Sequence, residues 1–279
     1  MTTASGADTN GWPADRSTSA ERVAALLLAF GKGGAGSYHG VSDLARAVGR
    51  ERSQVSRMLH ALERGGLVEQ DPVSRRYRLG WSLLVLASGA GDAALLRAAR
   101  PVLRKVVART GEVALLSVQR GNRSLTVLRE ESAQSLRAGG WVGRSSPMHC
   151  TASGRALLFD SDDELVEALT ADDLLAPSHG LAVPRNLDEL LARLHIERER
   201  GYAVASEEVE IGLTSVAVPV RNPAGDLVAV VNISGPTSRL ITRIDEVARR
   251  LRAAATALET ALANPPRPPL SPPGSELTR

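Results

Sequence analysis

The side chains with the plainest chemistry are arginines. Arg50, Arg52, Arg57, Arg64, Arg75, Arg76 and Arg78 crowd into one short stretch, with Glu51, Glu63, Glu69 and Asp71 interleaved. A guanidinium can read guanine, and a carboxamide adenine, through two parallel hydrogen bonds, each good pair being worth about 1–3 kcal/mol of base discrimination. Arg52, Gln54 and Arg57, with Ser53 and Ser56 among them, are therefore candidates for base contacts, and Arg50, Arg75 and Arg76 for phosphate contacts. The net charge of +3 is only a mild pull toward a polyanion, so the clustering matters more than the total.

Other groupings carry less. Glu207 and Glu208 form a carboxylate pair, but adjacent strand residues face opposite sides and cannot easily share a substrate. His149 beside Cys150 suggests a nucleophile or metal ligands, yet no further Cys or His stands at ligand spacing, which favours a buried structural role and no metal. Gly31, Gly33 and Gly36 satisfy G-x-G-x-x-G, but after a helical pattern where the dinucleotide fingerprint needs a strand. There is no G-x-S-x-G elbow, H-E-x-x-H helix or Walker loop, so nothing points to an enzyme or implies a cofactor.

The elements that must position the arginines follow from periodicity. Thr18 and Glu21 form a capping box for a helix over 19–31, and Ser42 is the expected N-cap of a second, short helix. A third, over 51–64, turns Val55, Met58, Leu59 and Leu62 inward and the candidate base readers outward. Two β-prone runs, 67–70 and 76–79, flank turn chemistry at 71–75, which completes a winged helix-turn-helix. An apolar segment at 81–90 and a helix over 95–109, with a kink or restart at Pro101, read as a connector. Strands are expected after Gly111 and again at 202–207, 214–221 and 227–234, and helices at 151–159, 163–170, 187–200 (capped by Asn186) and 241–263. Hairpin-paired strands interrupted by helices give an α+β class with an antiparallel sheet.

The expected domains are a disordered tail at 1–15, the winged helix-turn-helix at 16–80, linker helices at 81–110, an effector-binding and oligomerisation domain at 111–263, and a Pro-rich disordered tail at 264–279. Aromatics make up only 3% of the chain, so the cores must be built from Leu, Val and Ala. No apolar run reaches the length of a membrane span, the first residues are polar, and the single cysteine fits a reducing compartment. The expectation is a cytoplasmic protein with no membrane association.

Several segments in order resemble the IclR-type family of bacterial transcriptional regulators. They are VSDLA at 41–45, SQVSRMLHALE at 53–63, GLVE at 66–69 and YRLG at 77–80, then GRSSPMH at 143–149, ASGRAL at 152–157, RGYA at 200–203, the glutamates 207–208, AVPV at 217–220 and ISGP at 233–236. The resemblance runs from about 19 to 263. It implies a winged-helix reader of double-stranded operator DNA, a GAF/PAS-like domain that binds a small-molecule effector, with a small organic acid as the default, and assembly as a homodimer or dimer of dimers.

The resemblance also places the effector on the concave face of the second domain's sheet. Backbone N–H groups of Ser153 and Gly154 would hold a carboxylate, Ser215, Asn232 and Ser234 would add side-chain donors, and Leu136, Met148 and Leu213 would supply apolar wall. Ser215 stands where relatives often carry Cys, and Ala205 where some carry an acidic residue, which implies a larger or less polar pocket. Two other readings remain open: a constitutive DNA-binding regulator whose second domain only oligomerises, and a small-molecule enzyme with a basic appendage.

Overall fold

The computed structural model describes residues 18–33, 37–88, 93–132, 142–175, 180 and 182–264. The tails expected at 1–15 and 264–279 therefore lie outside the described residues, Asn264 apart, as does Leu136.

The first unit is helical with a small hairpin. Helix α1 (Ser19–Ala29) begins at the expected capping box: the Thr18 hydroxyl accepts from the Glu21 N–H at 3.3 Å, and the Glu21 carboxylate accepts from the Thr18 N–H at 2.6 Å. A 3-10 turn, Phe30–Gly33, ends it. Helix α2 (Val41–Ala47) is capped by Gly40 rather than Ser42, because the Gly40 carbonyl already accepts from Asp43 and Leu44. Helix α3 (Arg52–Arg64) follows, then strands β1 (Val68–Gln70) and β2 (Tyr77–Leu79), paired antiparallel. Leu26, Phe30, Leu44, Val55, Leu59, Leu62, Val68 and Tyr77 make one buried cluster that fixes the third helix against the hairpin.

Helices α4 (Ser82–Ser88) and α5 (Ala93–Thr110) come next. The break expected at Pro101 is not there: α5 runs through it. Pro101 and Arg97, whose carbonyl would have taken the missing N–H, both lie on the exposed side, where water can serve that carbonyl.

The remainder is a six-stranded antiparallel sheet ordered β5-β4-β3-β8-β7-β6, formed by β3 (Val113–Arg120), β4 (Arg123–Glu130), β5 (Ser145–Pro147), β6 (Ala203–Ser206), β7 (Leu213–Arg221) and β8 (Leu227–Pro236). Between the two edge strands the chain crosses one face as α6 (Ala152–Leu157), α7 (Asp163–Leu174) and α8 (Leu187–Arg200). A short α9 (Thr237–Leu240) and a 3-10 turn lead into α10 (Ile244–Ala263).

Alternation along the strands gives the sheet two buried faces. Leu116, Leu128, Val216, Val218, Val231 and Ile233 meet α5 and α10 through Leu103, Val106, Leu251 and Leu258. On the other face Ala203, Ala205, Ala217 and Val230 meet α6 and α8, and their small side chains let α6 lie close to the strands. This α+β architecture, a helix-turn-helix followed by an antiparallel sheet packed with helices, agrees with the fold read from the sequence.

Candidate functional site

The arginine cluster resolves into a reading helix and a wing. A helix turns about 100° per residue, and with Val55, Leu59 and Leu62 buried, the line through Ser53, Arg57, His60 and Arg64 runs down the middle of the exposed face of α3. Gln54, exposed, lies beside that line, whereas Arg52, also exposed, sits in the first turn about 100° around from Ser53, on the side of the half-buried Ser56. His60 was not singled out as a base reader, yet it stands on the same central line, 3.5 Å from Glu63. The N-cap of α3 is Glu51, whose exposed side chain makes no capping hydrogen bond.

The wing is a tight turn built by Asp71. Its carboxylate accepts from the Ser74 N–H at 2.6 Å, and Ser74 holds the carboxyl below the usual carboxylate range. Arg75 at the tip has a left-handed φ of 57° and is exposed beside Arg76, whose guanidinium lies 3.7 Å from Asp43. Arg50 is half-buried in the turn before α3, its N–H bonded to the Ala45 carbonyl. Arg78 is drawn out of the cluster: it grips Glu69 at 2.8 and 3.0 Å and lies over the Tyr38 ring, a scaffold role.

In the second unit the cross-strand register brings several expected effector residues together. Ser234 pairs with Ser215 and Val113, Asn232 pairs with Ala217 and Leu115, and Leu213 lies one step along β7, all on the face that α6 covers. Ser153 rests farther along the sheet, its hydroxyl taking a bond from Ser124 at 3.3 Å. Two expected roles are corrected. The Gly154 N–H donates to the Thr151 hydroxyl that caps α6, and a Cβ at Gly154 would collide with the Met148 backbone; this glycine is there for close packing and its donor is spent. Met148 has no exposed surface and packs with Ala152, Ala156 and Ala217, so it backs the face from within the core and forms no wall.

Beneath this face lies a charge network that the sequence did not disclose. Arg155, fully buried, donates to Glu197 at 2.9 and 3.2 Å, to Glu208 at 2.6 and 3.1 Å and to the carbonyls of His149 and Val204. Burial alone would lower its pKa, but the two carboxylates outweigh that and raise it, while burial pushes Glu208 up against the pull of Arg155 and Arg193. The network ties α6 to α8 and to the β6–β7 turn, where Glu207 has a φ of 58°. The glutamate pair is thus split by structure: β6 ends at Ser206, and Glu208 is consumed by Arg155. Burial pushes the Cys150 thiol up to about 11 and His149 down, the opposite of what a thiolate–imidazolium pair needs. Among the described residues no group of three His, Cys, Asp or Glu side chains could hold a metal, and no helix is long and apolar enough to cross a membrane.

Arg129 is the residue that sequence reasoning passed over. It pairs across the sheet with Leu115 and so shares a row with Asn232 and Ala217 on the α6-covered face. Its side chain is one-fifth exposed and reaches Glu131 at 3.5 Å. Alternation in the sequence misplaces it, because a bulge between Thr126 and Leu128 shifts the register and turns Arg129 to the face opposite Leu125.

Comparison with known proteins agrees with this geometry in both halves. Residues 19–72 match the IclR helix-turn-helix domain, and residues 89–260 match the domain described as bacterial transcriptional regulator IclR C-terminal. The HTH-type transcriptional repressor AllR of Escherichia coli K12 is 30% identical over 229 residues, covering 79% of this chain and 80% of its own, and that of Salmonella typhimurium is 29% identical over 222 residues with the same coverage. Among solved structures, an IclR homolog from Microbacterium hydrocarbonoxydans complexed with 4-hydroxybenzoate superposes with a TM-score of 0.71 at 25% identity, covering 87% of this chain and 98% of that one. An IclR-type regulator from Alicyclobacillus acidocaldarius gives 0.68 at 25%, covering 88% and 100%. The second of the two domain matches alone spans well over half of the sequence. With a helix-turn-helix for DNA and a C-terminal domain for an effector, the chain belongs to the IclR family of transcriptional regulators, a family of regulators and not of enzymes.

Proposed function

We propose that the protein is a cytoplasmic, operator-specific repressor whose affinity for DNA is lowered by a small organic acid bound on the α6-covered face of the sheet. The observation that carries the DNA reading is the exposed face of α3, with Arg57 at its centre, Gln54 beside it, Arg52 exposed in the first turn and the basic wing of Arg75 and Arg76 next in the chain. The organic acid is supported by the serines and amide gathered at Ser215, Asn232 and Ser234 and by the 4-hydroxybenzoate complex of the Microbacterium relative; the repressor sign follows the AllR relatives. Domain limits of 16–80, 81–110 and 111–263 accompany this reading. A homodimer suits it as well, since the apolar α4 leaves Leu84, Val85 and Leu86 exposed, with Trp81 just before it, and a two-fold protein matches two half-sites.

The test is a gel shift against DNA upstream of the protein's own gene, at stated salt and with excess competitor, because affinity without salt has no meaning. The expected result is a competitor-resistant shift that Arg57→Ala weakens by about 1–3 kcal/mol with relaxed specificity. Binding that is salt-labile and sequence-blind for both that DNA and a random-sequence selection would overturn the reading.

A further inference from the structure

The helix that leads into the sheet carries charge of one sign only. Along α5 stand Arg97, Arg100, Arg104, Lys105 and Arg109, and no acidic residue. Leu95, Ala99, Leu103 and Val106 are buried, so a turn of about 100° per residue puts Arg97, Pro101, Arg104 and Ala108 along the middle of the exposed face. Arg100 lies on one flank of that line, and Lys105 and Arg109 on the other. Arg100 and Arg104 share a single carboxylate, Glu130, at 3.2 Å each, which leaves that trio positively charged. Arg97, Lys105 and Arg109 are exposed and carry no ion pair among the described residues.

Like charges four residues apart on a helix repel, and Lys105 and Arg109 are placed in this way with no acid on the helix to relieve them. The other face of the sheet has the opposite sign: α7 exposes Asp163, Glu164, Glu167 and Asp172 and contains no basic residue. The sheet and its helices are therefore polarised, and beside a duplex the α7 side is repelled while the α5 side is drawn in.

Arg97 and Arg109 are separated by about 18 Å along the helix axis, which matches about five base pairs of duplex. From this we infer that the exposed face of α5 is a second DNA-contacting surface. While α3 holds its half-site, α5 lies along the phosphates of the DNA that flanks the site, with Arg97, Lys105 and Arg109 as the contacts. The polyanion is the duplex itself, because α5 follows the reading unit in the chain with only the short helix α4 between them. Phosphate contacts position without reading sequence, so this surface adds affinity that depends on flank length and on salt. It presupposes the DNA reading above and extends it beyond the half-site.

The experiment is a gel shift of the full-length protein on two duplexes: the upstream DNA trimmed to its protected core, and the same core extended by about ten base pairs of arbitrary sequence on each side. The wild type should bind the extended duplex at least about tenfold more tightly at low salt. Its slope of log affinity against log salt should be steeper there by at least about 2, since each phosphate neutralised contributes about 0.9. Arg97→Gln/Lys105→Gln/Arg109→Gln should bind both lengths alike, with the wild-type affinity for the trimmed core. Arg97→Lys/Arg109→Lys should keep the length dependence, as a contact made by charge requires. Melting curves without DNA check that each variant folds, and Arg97→Gln/Lys105→Gln replaces the triple variant if that one does not. A folded triple variant that keeps the full length dependence would leave α5 a solvated face, and one that weakens binding to both duplexes equally would move the effect to the reading unit. A variant that loses an assembly in sedimentation without losing length dependence would give the face to the acidic α7 of a second copy. Each of these overturns the inference, as does equal binding of the two duplexes by the wild type. In that last case a competitor-resistant shift of the trimmed core leaves the operator reading standing, whereas no such shift on either duplex brings down both.

Discussion

At the scale of single residues the most consequential side chain is Arg155, which reads on paper as an ordinary surface arginine of a short helix. Its partners Glu197 and Glu208 lie 42 and 53 residues away, so no local pattern could have announced them, whereas Gly154 is governed by near neighbours, the Thr151 hydroxyl that takes its N–H and the Met148 backbone against its Cβ position. Removing one member of a buried ion network leaves charge uncompensated, typically at a cost of about 3–5 kcal/mol. Arg155→Met should therefore lose about that much in urea unfolding, while the triple variant with Glu197→Gln and Glu208→Gln should regain part of it. Equal losses in the two proteins would mean that packing, and not charge, is what Arg155 supplies. The pH dependence has a definite sign. Burial already raises the Glu208 carboxyl, and without Arg155 it rises further, so the folded variant holds a proton more tightly than the unfolded chain and the penalty shrinks as pH falls.

At the scale of elements several local signals were readable, although the cap expected at Ser42 falls to Gly40 and Pro101 does not break α5. The Thr18 capping box, the Asn186 cap of α8 and its left-handed Gly201 terminus lie within a few residues of what they control, and the structure has them in place. The edge strand β5 was missed because three residues, Ser145–Pro147, carry no alternation to detect, and its pairing with β4 is a tertiary event. The wing shows an element under opposed demands. Arg75 is held in a left-handed conformation that costs a residue with a Cβ about 1–2 kcal/mol, yet its exposed guanidinium is placed for phosphate. Arg75→Gly should accordingly raise stability, by up to about 1 kcal/mol once the freer unfolded chain is counted, and at the same time reduce the slope of log affinity against log salt by about 1. Denaturant melts and binding at three salt concentrations would check the two signs. A variant that gained stability with an unchanged salt slope would place Arg75 off the DNA.

At the scale of the whole molecule the outstanding feature is apolar surface that the described residues leave exposed. Helix α4 exposes Leu84, Val85 and Leu86 to between 61 and 73%, with Trp81 at 67% beside it and Leu28 of α1 at 52%. Single exposed leucines are ordinary, but consecutive ones on a seven-residue helix between a DNA-reading unit and an effector-binding one are not. A second copy offers the same surface, and apposing the two would bury it and fix two reading helices relative to each other, the arrangement a two-part operator requires. Linking two weak half-site contacts multiplies affinity by about 10²–10⁴ with no new contact to DNA. The expected outcome is that the wild type sediments as a dimer and the double variant Leu84→Glu/Val85→Glu as a monomer, with a melting temperature within a few degrees because the changes are on the surface, binding to a two-half-site operator about a hundredfold weaker, and binding to an isolated half-site as before. If the variant remained dimeric and lost affinity for both DNAs equally, α4 would belong to the reading unit and the two-fold contact would have to be sought on the sheet domain.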